Sequence, residues 1–433
     1  MVGIIAVVFT CAAAAALVYP SVFKMDFSRK INKELYYIAA LITAAVGVRL
    51  ICIWTSGGHG YDLSCFRSWS LRLAQNGLGN FYSSDNFNNY PPGYMYVLWI
   101  IGKLKLAFNL DDLAFNRLLR IPALIIDIVS ALFIYKTAKK KFTPNISLII
   151  MSVWLFNPTV VLDSSIWGQV DIIYTFCLCL MLYFITEKKL IYSYFTFAVC
   201  ILLKPQSFIV TPILIYGIID QVFLSGFNKK FFLKNLLFGL GAIAAIFVVC
   251  LPFGIGPVIA QYIDTLRGSE YIVQNAFNMW GMLGQNYVWI TTNASIIGYI
   301  LLAFSVALSA IVYFRSSSNS KIYFTGGLLM LCAYMFSVKM NERYAFTVMM
   351  CFLLAFIERP EKGNALLYVL ITLSQFFNIA WVLFVFETDF YKYYPSKWIC
   401  LYSAINVIMF AYILYFTYRD YLKIITKKQK LSE

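Results

Sequence analysis

Charge and histidine are what this chain has least of. Only 13% of its 433 residues are charged and a single one, His59, is a histidine, whereas globular domains carry roughly 25% charge. So little charge excludes an ordinary soluble fold. One histidine excludes a metal site or a Ser-His-Asp centre built on several histidines. The ten cysteines give no disulfide framework. Cys11, Cys52, Cys177, Cys179, Cys200, Cys250, Cys332, Cys351 and Cys400 sit in apolar runs as small apolar residues, and only Cys65 lies in a long polar loop. The opening MVGIIAVVFTCAAAAALVYP has no basic n-region, which a cleaved signal peptide requires; it is expected to remain as a first span with its N-terminus outside. No repeat of fixed period, low-complexity tract or separate soluble domain is visible.

What is abundant is hydrophobic residues, 61% of the chain. A membrane span needs about 20 apolar residues, and such runs recur from end to end. They are continuous rather than alternating, which favours helices over a β-barrel. Candidate spans fall at 2–22, 34–54, 118–136, 146–162, 171–186, 190–203, 207–225, 235–252, 291–314, 322–338, 344–357, 365–386 and 399–418. The expected fold is therefore all-α: a polytopic integral membrane protein of about 13 transmembrane helices, one domain over 1–433, with a long first loop at 55–117 bearing interfacial helices, a second loop at 253–290 and a tail at 419–433.

The net charge of +15 would point to nucleic acid in a soluble protein. Here the basic residues cluster between apolar runs, as the positive-inside rule demands, and no nucleic-acid partner is expected. Lys24 to Lys33, Lys136 to Lys141, Lys188 and Lys189, Lys229 to Lys234, Arg315 and Lys321, Arg359 and Lys362, and the tail from Arg419 place 22 of the 35 basic residues on one side. That side, with the C-terminus, is expected to be cytoplasmic. Residues 91–107 either span or lie in the interface; counting them as a span would move Lys136–Lys141 outside, so an interfacial or re-entrant helix fits the charge rule better.

Polar motifs collect on the opposite side. The segment from Gly57 to Pro92 holds Asp62, Cys65, Trp69 and Asn89-Tyr90-Pro91-Pro92. Further on come Asp163 to Asp171 with Trp167 and Gln169, then Lys204-Pro205-Gln206, the loop with Asn275, Asn278 and Trp280, and Lys339 to Tyr344 with Glu342 and Arg343. Ionisable groups at membrane depth are costly and signal function; the bland alternative is helix-end capping and an aromatic belt at the interface. Asp62 suits the N-cap of a helix over Leu63–Asn76 and also a general base. Arg117 and Arg120 share one helix face and either snorkel to headgroups or grip a phosphate through guanidinium forks. Lys204, flanked by apolar runs, calls for an anionic partner. Glu342 and Arg343 suit a simple ion pair. Pro92 forbids helix immediately before it.

These motifs in their order resemble those of the GT-C membrane glycosyltransferases. Gly60-Tyr61-Asp62, Phe66, Trp69, Gly77, Phe81-Tyr82 and Tyr90-Pro91-Pro92-Gly93 resemble that superfamily's first outer loop. Phe115 to Pro122, Asn157-Pro158, Asp163-Ser164, Trp167 to Asp171, Lys204-Pro205-Gln206, Asn275 to Trp280 and Glu342-Arg343-Tyr344 are similar to the bacterial branch related to the GPI-anchor second mannosyltransferase. Two positions depart from it: Asn89 and Asn341 stand where relatives carry Asp and His, which throws the weight of catalysis onto Asp62.

The resemblance implies an inverting transfer of a hexose, with mannose a candidate, from a polyprenyl-phosphate donor to a glycolipid, glycan or protein acceptor on the outer face of a bacterial plasma membrane. Asp62 would be the base, since an inverting reaction needs one such carboxylate. Arg117, Arg120, Lys204 and Arg343 would hold the donor phosphate. Trp69, Tyr90, Trp167, Gln169, Asp171, Gln206, Asn275, Asn278, Trp280 and Glu342 would line the sugar and acceptor site, Trp residues serving equally in an interfacial belt. No cofactor and no essential metal are expected. A lipid-linked polysaccharide polymerase, a flippase or transporter, and a non-catalytic scaffold are the alternatives; polar groups at helix ends rather than in broken helices at the midplane weigh against transport.

Overall fold

Prolines and capping residues, rather than changes in apolarity, set where the helices of this chain begin. A computed structural model describes residues 34–82, 87–268, 270–386 and 397–423. The expected first span at 2–22, the basic residues Lys24 to Lys33, and Lys392, Lys427, Lys428 and Lys430 lie outside the described residues. In chain order the helices are α1 (Glu34–Thr55), α2 (Gly60–Asn76), α3 (Pro92–Ala107), α4 (Asp112–Ala138), α5 (Pro144–Leu155), α6 (Pro158–Val161, running into a π turn to Trp167), α7 (Asp171–Thr186), α8 (Leu190–Leu203) and α9 (Thr211–Ile218). They continue with α10 (Lys229–Cys250), α11 (Ile255–Arg267), α12 (Met279–Met282), α13 (Thr292–Arg315), α14 (Lys321–Phe336), α15 (Phe346–Glu358), α16 (Lys362–Trp381) and α17 (Lys397–Thr417). Two short strands, β1 (Val273–Gln274) and β2 (Met340–Asn341), pair in parallel.

Helices α3, α5 and α6 open on a proline, whose missing N–H costs nothing at a first helical position. Asn157 and Asn228 cap α6 and α10 by accepting two backbone N–H groups each.

Every expected span from residue 34 onward coincides with a helix. Seven are long and apolar enough to cross a membrane: Glu34–Thr55, Asp112–Ala138, Pro205–Leu224, Lys229–Phe253, Thr292–Arg315, Lys362–Val385 and Lys397–Leu422. The pair Pro144–Leu155 and Pro158–Trp167, bent by 42°, makes an eighth if it acts as one span. The segments read as spans at 171–186, 190–203, 322–338 and 344–357 are shorter apolar helices. At 16 residues or fewer they reach about 24 Å, below the roughly 30 Å hydrocarbon core.

The chain divides into two compact units. One comprises Met1–Val46, Ile128–Leu162 and Glu270–Glu433. Its core is α14 and α15, which are buried almost all round, as helices apolar on every face must be. Ion pairs gather one end of this unit: Lys139 with Glu34, Lys141 with Glu358, and Arg359 with Glu361 and Asp420. The start of α1 and the end of α4 thus share one end.

The other unit comprises Gly47–Asp127 and Asp163–Ser269. Here α2 and α3 form a hairpin. Leu63, Phe66, Trp69 and Leu73 line one face of α2 and pack with Tyr94, Met95, Leu98 and Ile101 of α3 into a core that also takes Phe115, Leu119, Leu202 and Phe253. Ser70 Oγ–H donates to the Leu98 carbonyl at 2.6 Å across the hairpin. This hairpin carries the candidate site.

Candidate functional site

Helix α2 begins three residues before the expected start, and the change moves Asp62. The N-cap is His59, not Asp62: the Asp62 N–H donates to His59 Nδ1 at 3.3 Å, and Asp62 occupies the first turn. A carboxylate there lies against the positive end of the helix dipole. The cap is required by what precedes it. Gly58 has φ +82°, and a Cβ there would meet Leu63 and the Arg120 guanidinium; Gly168, at φ +90°, faces the same two side chains. Only glycine accepts both the backbone angle and the approach.

Asp62 is held from the π turn that follows α6. Trp167 Nε1–H and Gln169 Nε2–H donate to Asp62 Oδ2 at 2.6 and 2.7 Å. The His59 ring stacks on the Trp167 indole, centroids 4.3 Å apart, and its Nδ1 lies 3.5 Å from Asp62 Oδ2. The Asp62 side chain keeps 17% of its surface exposed. It is therefore oriented by protein on one side and reachable on the other.

Around it the sequence candidates converge in part. Tyr90 Oη–H donates to Gln169 Oε1 at 3.2 Å. Lys204 pairs with Asp171 and lies 5.6 Å from the Tyr90 ring centroid. Trp69 stands 5.6 Å from Tyr90, with Phe66 edge-on to the same ring, and Trp69 Nε1–H donates to the Phe87 carbonyl. Asp62, Trp69, Tyr90, Trp167, Gln169, Asp171 and Lys204 thus form one connected cluster: an acid, an ion pair and an aromatic wall.

The two arginines behave differently. Arg120 is buried, and its guanidinium donates to Ser56 Oγ at 2.8 Å and to the Ser56, Ser165 and Ile53 carbonyls at 3.1–3.4 Å. It clamps the loop before α2 to the π turn that supplies Trp167, so both its terminal nitrogens already have backbone or hydroxyl acceptors. Arg117, half-buried, lies over the Trp54 ring at 4.8 Å. Gln206 sits half-buried in the 3-10 turn after Lys204.

The remaining candidates belong to the other unit. Asn275 and Asn278 are buried and engaged. Asn275 N–H donates to Asn286 Oδ1, and its carbonyl accepts from Asn378 Nδ2. Asn278 Nδ2–H donates to the Tyr334 carbonyl, and its Oδ1 accepts from the Gly281 N–H. Trp280 Nε1–H donates to the Phe336 carbonyl, and Glu342 pairs with Arg343 at 2.7 Å.

Sequence reading missed three residues. His59 stands three residues before Asp62, a spacing that suits a cap and is visible in the sequence. Arg49 and Asp127 form a fully buried ion pair at 2.6 Å, and Ser164 Oγ–H donates to the same Asp127 oxygen at 2.7 Å. The signal was one lone base and one lone acid, each inside an apolar run: such charges at membrane depth pair. Outside the spans, burial and then the Asp62 charge push the Cys65 thiol above its ordinary pKa.

Seven helices long and apolar enough to span a membrane, with an oriented, part-exposed carboxylate beside an ion pair and an aromatic wall, mark a polytopic membrane protein that holds a polar cluster. The family model described as GPI transamidase subunit PIG-U matches residues 63–282, just over half of the chain, and the chain belongs to this family. The matched stretch runs from the residue after Asp62 to Met282, taking in every cluster member except Asp62 itself. A comparison with curated proteins found no match.

Proposed function

We propose that this protein is an inverting glycosyltransferase that moves a sugar from a polyprenyl-phosphate donor to an acceptor at the outer face of the membrane. The observation that carries this is Asp62: a carboxylate fixed by Trp167 and Gln169, yet exposed on one side, beside aromatic faces suited to a sugar ring. As base, Asp62 takes the proton of the acceptor hydroxyl while that oxygen bonds to the anomeric carbon. The carbon–phosphate oxygen bond breaks, and the electron pair leaves with the lipid phosphate. Lys204 and Arg117 answer the charge developing on that phosphate; Arg120 holds the loop that carries the base. Arg343, Glu342, Asn275, Asn278 and Trp280 stand as second-rank candidates. The donor phosphate needs no divalent ion in this scheme, so turnover should survive EDTA. An assay with radiolabelled polyprenyl-phosphate sugar tests the proposal: transfer by the wild type that Asp62→Asn abolishes supports it, and transfer unaffected by that change removes it.

A second reading comes from the family description. The chain would then act in the GPI pathway as a membrane subunit that holds a lipid-linked glycan against Tyr90, Trp69 and Asp62 without transferring it. Glycolipid binding that weakens in Asp62→Asn, with no transfer by the wild type, would favour it. Sidedness has its own test. An impermeant thiol reagent applied from outside should reach Cys65 but not a cysteine replacing Lys140; labelling at position 140 would reverse the proposed orientation.

A further inference from the structure

We infer that His59 holds Asp62 in its working place only while the imidazole ring is neutral, so that a proton on this one side chain switches the proposed base off; this rests on the transfer reaction proposed above. His59 joins the two turns of the site by both main chain and side chain. Its N–H donates to the Trp167 carbonyl at 2.9 Å, and its carbonyl accepts the Leu63 N–H at 3.1 Å. The ring stacks on the Trp167 indole, and Nδ1 accepts the Asp62 N–H at 3.3 Å. Trp167 Nε1–H in turn donates to Asp62 Oδ2, which closes a circuit through His59, Asp62 and Trp167. A ring nitrogen that accepts a hydrogen bond carries no proton, so the neutral imidazole keeps its hydrogen on Nε2.

A proton taken from water onto Nδ1 reverses this contact. Nδ1 becomes a donor, faces the Asp62 N–H with a hydrogen of its own, and the cap is lost. The acceptor left within reach is Asp62 Oδ2, 3.5 Å away, the oxygen that Trp167 and Gln169 orient. A carboxylate beside an imidazolium is the weaker base, because the neighbouring cation favours its charged form. His59 is the chain's one histidine, and histidine is the side chain whose charge ordinarily changes between about pH 5 and 8. Its side chain keeps 14% of its surface exposed, so protons reach the ring. Over that range the other ionisable neighbours hold their state. Burial first keeps the Tyr61 hydroxyl and the Cys65 thiol above their ordinary pKa, so both stay uncharged. Arg120, whose guanidinium would meet a Cβ at Gly58, is a fixed cation. Asp171 is paired with Lys204, and Asp163 is buried in the π turn.

The test follows the ring and the reaction separately, on the full chain purified without a histidine tag. With one histidine in the chain, ring-labelled histidine gives a single imidazole to follow by NMR. Transfer of radiolabelled sugar from polyprenyl phosphate is expected to fall about tenfold per pH unit below the midpoint at which that ring titrates, as for a group needed without its proton. His59→Asn keeps a side-chain oxygen for the Asp62 N–H and takes up no proton. It gives up the stack on Trp167, which should cost about two- to tenfold in transfer at every pH. Its acid limb should move down by about one pH unit or more, toward the carboxylate range. Asp62→Asn removes the anion beside Nδ1 and should lower the ring's own midpoint. An acid limb that His59→Asn leaves in place, or a ring midpoint that Asp62→Asn leaves unmoved, overturns the inference and leaves the transferase reading standing. So does a wild-type acid limb displaced from the ring's midpoint, a result that needs no variant to fold. Absence of transfer at every pH, with the ring still responding to Asp62→Asn, removes the transferase reading and the inference with it.

Discussion

The two compact units each hold a dense polar cluster, and the clusters are built on opposite principles. In the unit of α2 and α3 the members other than Gln169 are charged or aromatic, and the central acid, Asp62, remains partly exposed. In the unit of α14 and α15 the centre is neutral. Asn275, Asn278, Asn378 and Asn406 are buried: Asn278, Asn378 and Asn406 bond the backbone of the 275–281 loop or the helix beneath it, and Asn275 bonds the side chains of Tyr287 and Asn286. Buried amides whose bonds are complete rigidify a fold. A carboxylate that keeps 17% of its surface exposed can still meet a ligand. The motif Asn275 to Trp280 reads in sequence as functional as Gly60 to Asp62; the burial of its amides separates the two.

Substitutions can break that contrast. Asp62→Asn should lower transfer by about 10²–10⁴-fold, the usual worth of a general base, with donor binding and melting temperature retained. A loss of less than tenfold would move the base elsewhere, to Asp171 first. Trp167→Phe keeps the stack on His59 and removes one donor to Asp62. Hydrogen bonds to charged groups are worth about 1.5–3 kcal/mol, so turnover should fall by roughly ten- to a hundredfold with little change in stability. If melting temperature fell and turnover per folded molecule did not, Trp167 would be a packing residue only.

Asn278→Ala sharpens the contrast from the other unit. It leaves the Gly281 N–H and the Tyr334 carbonyl without that side chain and should destabilise the protein by about 1–3 kcal/mol, with KM unchanged in the molecules that fold. A raised KM at unchanged stability would return Asn278 to the sugar site. Arg120→Lys and Arg117→Lys should likewise part company. The first loses the fork that bridges Ser56 and Ser165 and should lower thermal stability. The second should raise the KM for the lipid donor a few-fold. Equal behaviour of the two would contradict their different placement.

The smallest effect is electrostatic. Burial chiefly, and the Asp62 charge secondarily, raise the Cys65 thiol pKa. Removing that charge in Asp62→Asn makes the thiolate easier to form. The pH profile of Cys65 alkylation should therefore shift to lower pH in the variant. An unshifted profile would mean that Asp62 carries no charge near Cys65 over the titrated range.

The fold class was legible because a bilayer accepts few solutions. Long apolar runs must be helices whose backbone bonds close internally, and each run from residue 34 onward is one. Ion pairs of Lys139 with Glu34, Lys141 with Glu358 and Arg359 with Asp420 draw basic residues of two clusters to one end of their unit. How many helices cross was less legible. Hydrophobicity identifies a segment, but its helical length depends on where neighbouring turns cut it, and four apolar segments end short of a membrane's thickness.

Sequence by itself determined an all-helical membrane protein with its polar residues concentrated in a few loops, and it singled out Asp62, Trp167, Gln169, Tyr90 and Lys204 as residue types able to do chemistry there. Only the tertiary structure decided which of them meet. Asp62 and Gln169 are 107 positions apart yet share a 2.7 Å hydrogen bond, and that bond depends on Gly58, Gly168 and Arg120 locking two distant turns together. Spacing along a chain cannot encode such a meeting. A side chain's role depends on which donors and acceptors reach it, and folding alone sets those distances.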